Sequence, residues 1–187
     1  YKPEQAVAPL GVYGDSKAAG EAAALALPGA RVLRTGWVYG PVGHNFCLTM
    51  LRLHRERAAS GNPLGVVADQ VGCPTSTATL ASACWRAIGV EGPRILHWSD
   101  AGAASWYDFS VAIGEQGVAA GLLERAARVL PISTTDYPTP ARRPSYSLLD
   151  CSASRAALGL EPQHWRAALA QVLSDASPTL SSSRRAA

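Results

Sequence analysis

The sequence predicts an α/β fold built on a parallel sheet, and two observations carry that prediction. First, an Ala- and Leu-rich segment from Gly11 to Leu27 is followed at once by the β-branched and aromatic run Arg31–Tyr39. A helix feeding directly into a strand is the αβ half of a βαβ unit, which requires parallel neighbours. Second, helical and strand-like segments keep alternating downstream. With 187 residues, 48% of them hydrophobic, the chain can bury a sizeable core in one large or two small domains.

Residues 1–10 contain Pro3 and Pro9, show no periodicity and read as a loop entering the first helix. That helix uses small, strong helix formers and ends at Pro28-Gly29. After the 31–39 strand and a Gly40-Pro41 turn, Phe46, Met50, Leu51 and Leu53 lie near helical spacing between His44 and Ala59. Ser60-Gly61-Asn62-Pro63 closes this helix, and Leu64–Ala68 is a short apolar strand. The strand runs into Asp69-Gln70-Val71-Gly72-Cys73-Pro74-Thr75, a turn-rich loop of the kind that lines pockets at strand ends.

Ser76 is placed to cap the next helix, with Leu80, Cys84 and Ile88 on its apolar stripe. Arg94–Trp98 is another strand. Ser105-Trp106-Tyr107-Asp108 has the form of a capping box opening a helix with Trp106, Phe109 and Ile113 on one stripe, read as core residues. A second helix is expected over Gly117–Ala127 and an extended segment over Val129–Ser133. Thr134–Pro144 carries three prolines and the pair Arg142-Arg143, an exposed stiffened loop whose guanidiniums either clamp a phosphate or stay solvated. Ser145–Cys151 reads as a short strand. Pro162 suits the first turn of a last helix with Trp165, Ala168, Leu169, Val172 and Leu173 on its buried face, and Ser174–Ala187 reads as a frayed tail.

Composition excludes several classes of function. A net charge of +3 without a basic, aromatic-interleaved run gives no nucleic-acid footprint, and no apolar stretch is long enough to span a bilayer. Cys47, Cys73, Cys84 and Cys151 show neither C-x-x-C nor zinc-ligand spacing, and no secretory signal opens the chain, so buried reduced thiols in a cytosol are expected. His44, His54, His97 and His164 are too scattered for a metal site.

The stretch that carries chemistry is Gly11-Val12-Tyr13-Gly14-Asp15-Ser16-Lys17, which sets a Tyr and a Lys four residues apart on one helix face. A phenol with an ordinary pKa of about 10 exchanges protons near neutrality only when an adjacent cation favours its ionised form. With six Tyr and two Lys in the chain, chance predicts only about 0.06 such pairs. Fifteen of the 17 basic residues are Arg, so a Lys here marks a place for a compact ammonium. The alternative is an aromatic ring packed beside a helix and a solvated surface charge.

Taken together, these segments resemble the dTDP-4-dehydrorhamnose reductase family of the extended short-chain dehydrogenase/reductase superfamily. The resemblance runs from about Tyr13 to Ala170. It rests on Tyr13-Gly-Asp-Ser-Lys17 with Gly20-Glu21, Leu33-Arg-Thr-Gly-Trp-Val-Tyr-Gly40, Asn45-Phe46, Asp69–Thr75, Ser105–Phe109, Tyr137–Pro144 and Ser147–Asp150. It implies reduction of the C4 ketone of dTDP-4-dehydro-L-rhamnose by NADPH, with NADH the alternative donor, in a cytoplasmic enzyme. Tyr13 would be the proton donor. Lys17 would hold the cofactor ribose and tune Tyr13, Trp37 would contact the deoxysugar, and Asn45 and Arg143 would contact the nucleotide or diphosphate. A homodimer is left open, and no metal ligand is assigned.

In fold terms the resemblance implies the C-terminal part of a Rossmann-type parallel-sheet domain plus a smaller α/β substrate-binding domain. Residues 1–40 would end the dinucleotide-binding domain. Residues 41–176 would be mainly substrate-binding, with segments returning to the Rossmann sheet, and 177–187 would be a disordered tail. The family's glycine-rich dinucleotide fingerprint and its catalytic Ser or Thr are missing from these residues, so the 187-residue chain is expected to bind NADPH weakly or not at all. Two other readings are a related nucleotide-sugar epimerase or dehydratase, against which Trp37 argues, and a non-catalytic homologue such as the β subunit of methionine adenosyltransferase, against which Tyr13 and Lys17 argue.

Overall fold

The computed structural model describes the backbone of residues 1–184 and the side chains of residues 1–176. The chain runs α1 (Val12–Leu25), β1 (Val32–Arg34), β2 (Val38–Tyr39), α2 (Phe46–Ser60), β3 (Leu64–Val67), β4 (Val71–Gly72), β5 (Thr75–Ser76) and α3 (Thr77–Gly89). It continues through β6 (Ile95–His97), β7 (Ala104–Ser105), α4 (Trp106–Ala119), β8 (Val129–Ile132), a 3-10 turn at Thr134–Asp136, α5 (Ser152–Leu158) and α6 (Trp165–Arg184). Three strand pairs are parallel: β1 with β6, β2 with β5 and β3 with β8. The exception is β4, antiparallel to β7. Pro131 is tolerated in β8 because a strand paired on one side only has backbone groups that need no ladder partner.

Local chemistry sets the helix boundaries. Asn45 caps α2 by accepting from Leu48 N–H, and Gly61 at φ 71° ends it in the left-handed conformation glycine adopts without steric cost. Ser76 caps α3 through Thr79 N–H, and Ser105 with Asp108 forms the expected reciprocal capping box on α4.

Apolar side chains gather into two clusters. The larger joins α2, α4, α6 and β3 around Leu51, Phe109, Ile113, Trp165, Leu169 and Leu173. The smaller lies on the β1/β6 pair and joins Leu33 and Leu96 to Ala83 of α3 and Leu158 of α5. The predicted inner face of α6 is buried as expected.

Several sequence expectations are corrected. The 31–39 strand is broken at Gly36-Trp37, where the chain leaves β1 and re-enters as β2 with a different partner. Residues 120–127 are turns, because Gly121 takes φ 70° and lets Leu122 and Leu123 fold back into the core. Ser145–Cys151 makes a single bridge, Val71 to Tyr146, before α5 begins. On α3 the inward face is Leu80, Ala83 and Ala87, while Ile88 is 71% exposed and Cys84 is exposed, so only three of the four thiols are buried. The expected tail from 177 is helical through Arg184, and its last three residues lie outside the described residues.

Candidate functional site

The site begins at the first turn of α1. Tyr13 is 78% exposed there, and the Lys17 ammonium lies 5.4 Å from the Tyr13 ring centroid, so the four-residue spacing does bring the pair together. The chain approaches this turn closely: a Cβ on Gly14 would sit 2.9 Å from Pro9 Cβ.

Polar side chains orient α1 rather than a buried face, for none of its residues is buried. Arg34, at the end of β1, grips Glu21 with two bonds, Nε to Oε2 at 2.8 Å and Nη2 to Oε1 at 2.5 Å. This guanidinium holds the Glu21 carboxyl below its ordinary pKa. At the opposite end, Arg94 donates to the carbonyls of Leu25 and Leu27 at 2.7 Å each. The start of β1/β6 therefore lies at the C-terminus of α1, and β1 runs toward the helix end that carries Tyr13. Trp37, three residues past Arg34, leaves the strand at that end.

Trp37 is held in an unusual state. Its φ of 54° is in the left-handed region, which costs a non-glycine residue about 1–2 kcal/mol. Two contacts offset that cost. Thr75 N–H donates to Trp37 O at 3.1 Å, and the Trp37 indole lies flat on Trp106 with centroids 3.5 Å apart and planes 2° off parallel. Behind it β4 must be bare: a Cβ on Gly72 would stand 2.6 Å from Trp37 Cε2 and Nε1. Trp106 in turn meets Phe46 at 4.6 Å, and Phe46 meets the buried Phe109 at 5.5 Å, so the stack is anchored in the larger core.

Sequence reasoning placed Trp106 in the core and did not see its partner Gln70. Gln70 is 7% exposed. Its Oε1 accepts from Trp106 Nε1 at 3.2 Å and its Nε2 donates to Thr134 Oγ1 at 3.1 Å. Thr134 donates its hydroxyl to Asp69 Oδ1 at 2.6 Å and its N–H to both carboxylate oxygens, which together lower the Asp69 pKa. The available signal was the Asp-Gln pair opening a turn-rich loop, four residues before a proline.

Asn45 spends its side chain locally. Nδ2 donates to the carbonyls of Gly40 and Val42, and Oδ1 accepts from Leu48 N–H, leaving one lone pair for any ligand. Arg143 lies beside Arg142 on the exposed 137–144 loop. Among the described residues no group of three or more His, Cys, Asp or Glu could hold a metal ion. The buried Asp100 carboxyl, its pKa raised by burial, caps α3 from outside by accepting from Ser76 N–H at 3.0 Å and Thr79 Oγ1 at 2.5 Å.

Comparison with known proteins shows the family and the fold. A profile described as the RmlD substrate binding domain matches residues 1–177. A dTDP-4-dehydrorhamnose reductase of Aggregatibacter actinomycetemcomitans is 42% identical over 179 residues, covering 92% of this chain and 60% of the relative. A probable dTDP-4,6-dihydroxy-2-methyloxan-3-one 4-ketoreductase of Streptomyces antibioticus is also 42% identical, over 94% of this chain and 57% of its own length. The crystal structure of a Bacillus anthracis dTDP-4-dehydrorhamnose reductase in complex with NADP superposes with a TM-score of 0.80 at 32% identity, over 94% of this chain and 59% of that one. The chain thus spans about 60% of the length of the curated relatives it matches. Nearly its whole length falls within one family's profile and shares the fold of a solved relative: the chain belongs to the RmlD substrate binding domain family.

Proposed function

We propose that this chain carries the proton-donating and sugar-binding groups of a reductase that converts the C4 ketone of dTDP-4-dehydro-L-rhamnose to the alcohol of dTDP-L-rhamnose. The observation that carries the reading is the exposed Tyr13–Lys17 pair at the helix end toward which β1 delivers Trp37. NADPH, when bound, supplies the hydride to C4. Tyr13 donates its phenolic proton to the carbonyl oxygen, so hydride and proton together make the secondary alcohol. Lys17 keeps a positive charge beside the phenol and offers its remaining N–H donors to ribose hydroxyls.

The residues present fit the ribose end of such a cofactor. The sequence contains no Gly-x-Gly-x-x-Gly, so no residue of this chain is assigned to the pyrophosphate, and assays with NADPH and NADH side by side decide the donor. The Trp37 indole supplies a flat apolar surface for the deoxysugar. Arg143, with Arg142, offers exposed positive charge to a diphosphate, and Asn45 holds the Gly40–Val42 turn next to β2. We place the reaction in the cytoplasm. No helix among the described residues is long and apolar enough to cross a membrane. Pairing of two copies reads directly as a doubled mass in light scattering.

The 42% identity to a 4-ketoreductase named for a different dTDP-linked ketosugar favours one second reading, the same chemistry on a sister substrate. Both are tested in the parent protein, which joins these residues to a cofactor-binding part, by following NADPH consumption with dTDP-4-dehydro-L-rhamnose and identifying the product; the 187 residues alone are expected to be inactive. Tyr13→Phe is expected to lower kcat by about 10²–10⁴ at an unchanged melting temperature, since Tyr13 is exposed. An unchanged kcat removes Tyr13 from the chemistry.

A further inference from the structure

We infer that Trp106 and Gln70 are positioning residues that fix the Trp37 indole for the sugar. This rests on the reading above, in which Trp37 faces the deoxysugar. Trp37 cannot hold its own conformation cheaply, because its backbone occupies a region that side chains other than glycine rarely adopt. The ring is therefore placed by what surrounds it. Trp106 covers one indole face at 3.5 Å, and the bare backbone of Gly72 admits the ring edge.

A stack of two flat rings resists separation but not sliding or rotation in the common plane, since dispersion changes little along that direction. Something must fix the lower ring, and Gln70 does so. Its Oε1 takes the Trp106 Nε1 proton at 3.2 Å, a bond directed along the indole edge. Gln70 itself is buried and cannot swing, because its amide nitrogen is committed to Thr134 Oγ1, which is bound to the Asp69 carboxylate. Beyond the strand and helix cap they also form, Asp69-Gln70-Val71-Gly72 and Ser105-Trp106 are thereby explained as one device. Asp69 locks Thr134, Gln70 locks Trp106, and Gly72 makes room for the ring that Trp106 carries.

The prediction is specific to the sugar. A misplaced indole weakens sugar binding without touching Tyr13, so it raises KM for the ketosugar and leaves kcat and the KM for NADPH unchanged. An aromatic contact of this kind is worth about 3- to 10-fold in KM.

The test uses Trp106→Phe, which keeps a ring on Trp37 but has no N–H for Gln70, and Gln70→Leu, which keeps the volume but has no acceptor. Each single variant should raise the ketosugar KM by about 3- to 10-fold. Because both remove the same hydrogen bond, the double variant should be no worse than the more affected single. The inference is overturned if KM stays at the wild-type value while the melting temperature falls, which is the signature of a purely structural role. It is also overturned if kcat falls with KM unmoved, or if the two effects multiply in the double variant. All variants are made in the parent protein, and the functional reading is judged on its unsubstituted form: no turnover of the ketosugar there sinks that reading, and this inference with it.

Discussion

Lowering the pH should loosen the larger core through one residue, His54. This side chain is fully buried on α2, against α4 and the turn after it. Its Nε2 lies 2.9 Å from Ser110 O, and its Nδ1 accepts from Ala127 N–H at 3.2 Å. With both nitrogens so engaged, the ring is the neutral tautomer carrying its proton on Nε2. A second proton would have to sit on Nδ1, facing an N–H. Burial lowers the pKa from its ordinary 6.5, with the Ser110 carbonyl opposing the shift. The sign follows from linkage. Above about pH 6.5 neither folded nor unfolded His54 is charged, and stability is at its full value. Below that, the unfolded chain binds a proton the folded one refuses, and stability falls by about 1.4 kcal/mol per pH unit until the folded ring itself titrates.

Between about pH 7.5 and pH 5.5 the loss from His54 is therefore at most about 1.4 kcal/mol, the value reached when the folded ring stays neutral throughout. His97 is also buried with a lowered pKa and adds to the wild-type loss, so the comparison must be with a variant. His54→Gln removes the titration while retaining hydrogen-bonding capacity, and should cost about 1–3 kcal/mol at the higher pH. Urea unfolding at both pH values, with m unchanged, measures each difference. If wild type and His54→Gln lose the same stability between the two pH values, the buried neutral histidine is not the source.

Three further outcomes are expected. Gly72→Ala drives a methyl to 2.6 Å from the Trp37 ring, so it should displace the indole and cost about 1–3 kcal/mol in an unfolding titration. Asp100→Asn leaves the start of α3 with a weaker acceptor for Ser76 N–H and Thr79 Oγ1, lowering stability at neutral pH by about 1–2 kcal/mol, measured by urea midpoint. In a thiol-labelling time course on the native protein Cys84 should react first, while Cys47 and Cys73, both buried with pKa pushed up to about 12, react only on unfolding.

The sequence made the helices legible where a capping side chain coincided with a change of period. Ser76 and the Ser105–Asp108 box opened their helices as read. Asn45 shows the limit of that logic: the same residue type serves as a cap or as a ligand contact, and only the fold shows its amide committed to Leu48, Gly40 and Val42. On α3, Leu80 belongs to two stripes, one through Cys84 and Ile88 and one through Ala83 and Ala87. Periodicity cannot choose between them, and close approach to the β1/β6 pair selects the smaller side chains. Gly117–Ala127 is rich in Ala and Leu and so reads as helix, but Gly121 breaks it at φ 70° and the burial of Leu122 and Leu123 that follows outweighs their local propensity. At the site, the Tyr13–Lys17 pair was visible because both members sit on one helix. The Trp37–Trp106–Gln70 arrangement was not, because its members are brought together only by tertiary structure.

The strand pairings have a kinetic consequence. Each of the four joins strands separated by at least one intervening helix, and no tight hairpin is present among the described residues. Loop closure must precede the reward from every ladder, so refolding should be slow compared with a helical bundle of this size, in the millisecond-to-second range. Trp37 is bonded through β5 and seated on Trp106 beside the β4–β7 pair, so the indole stack is expected to form late in folding, after both pairings, and Trp37 fluorescence in a stopped-flow refolding experiment reads when it does.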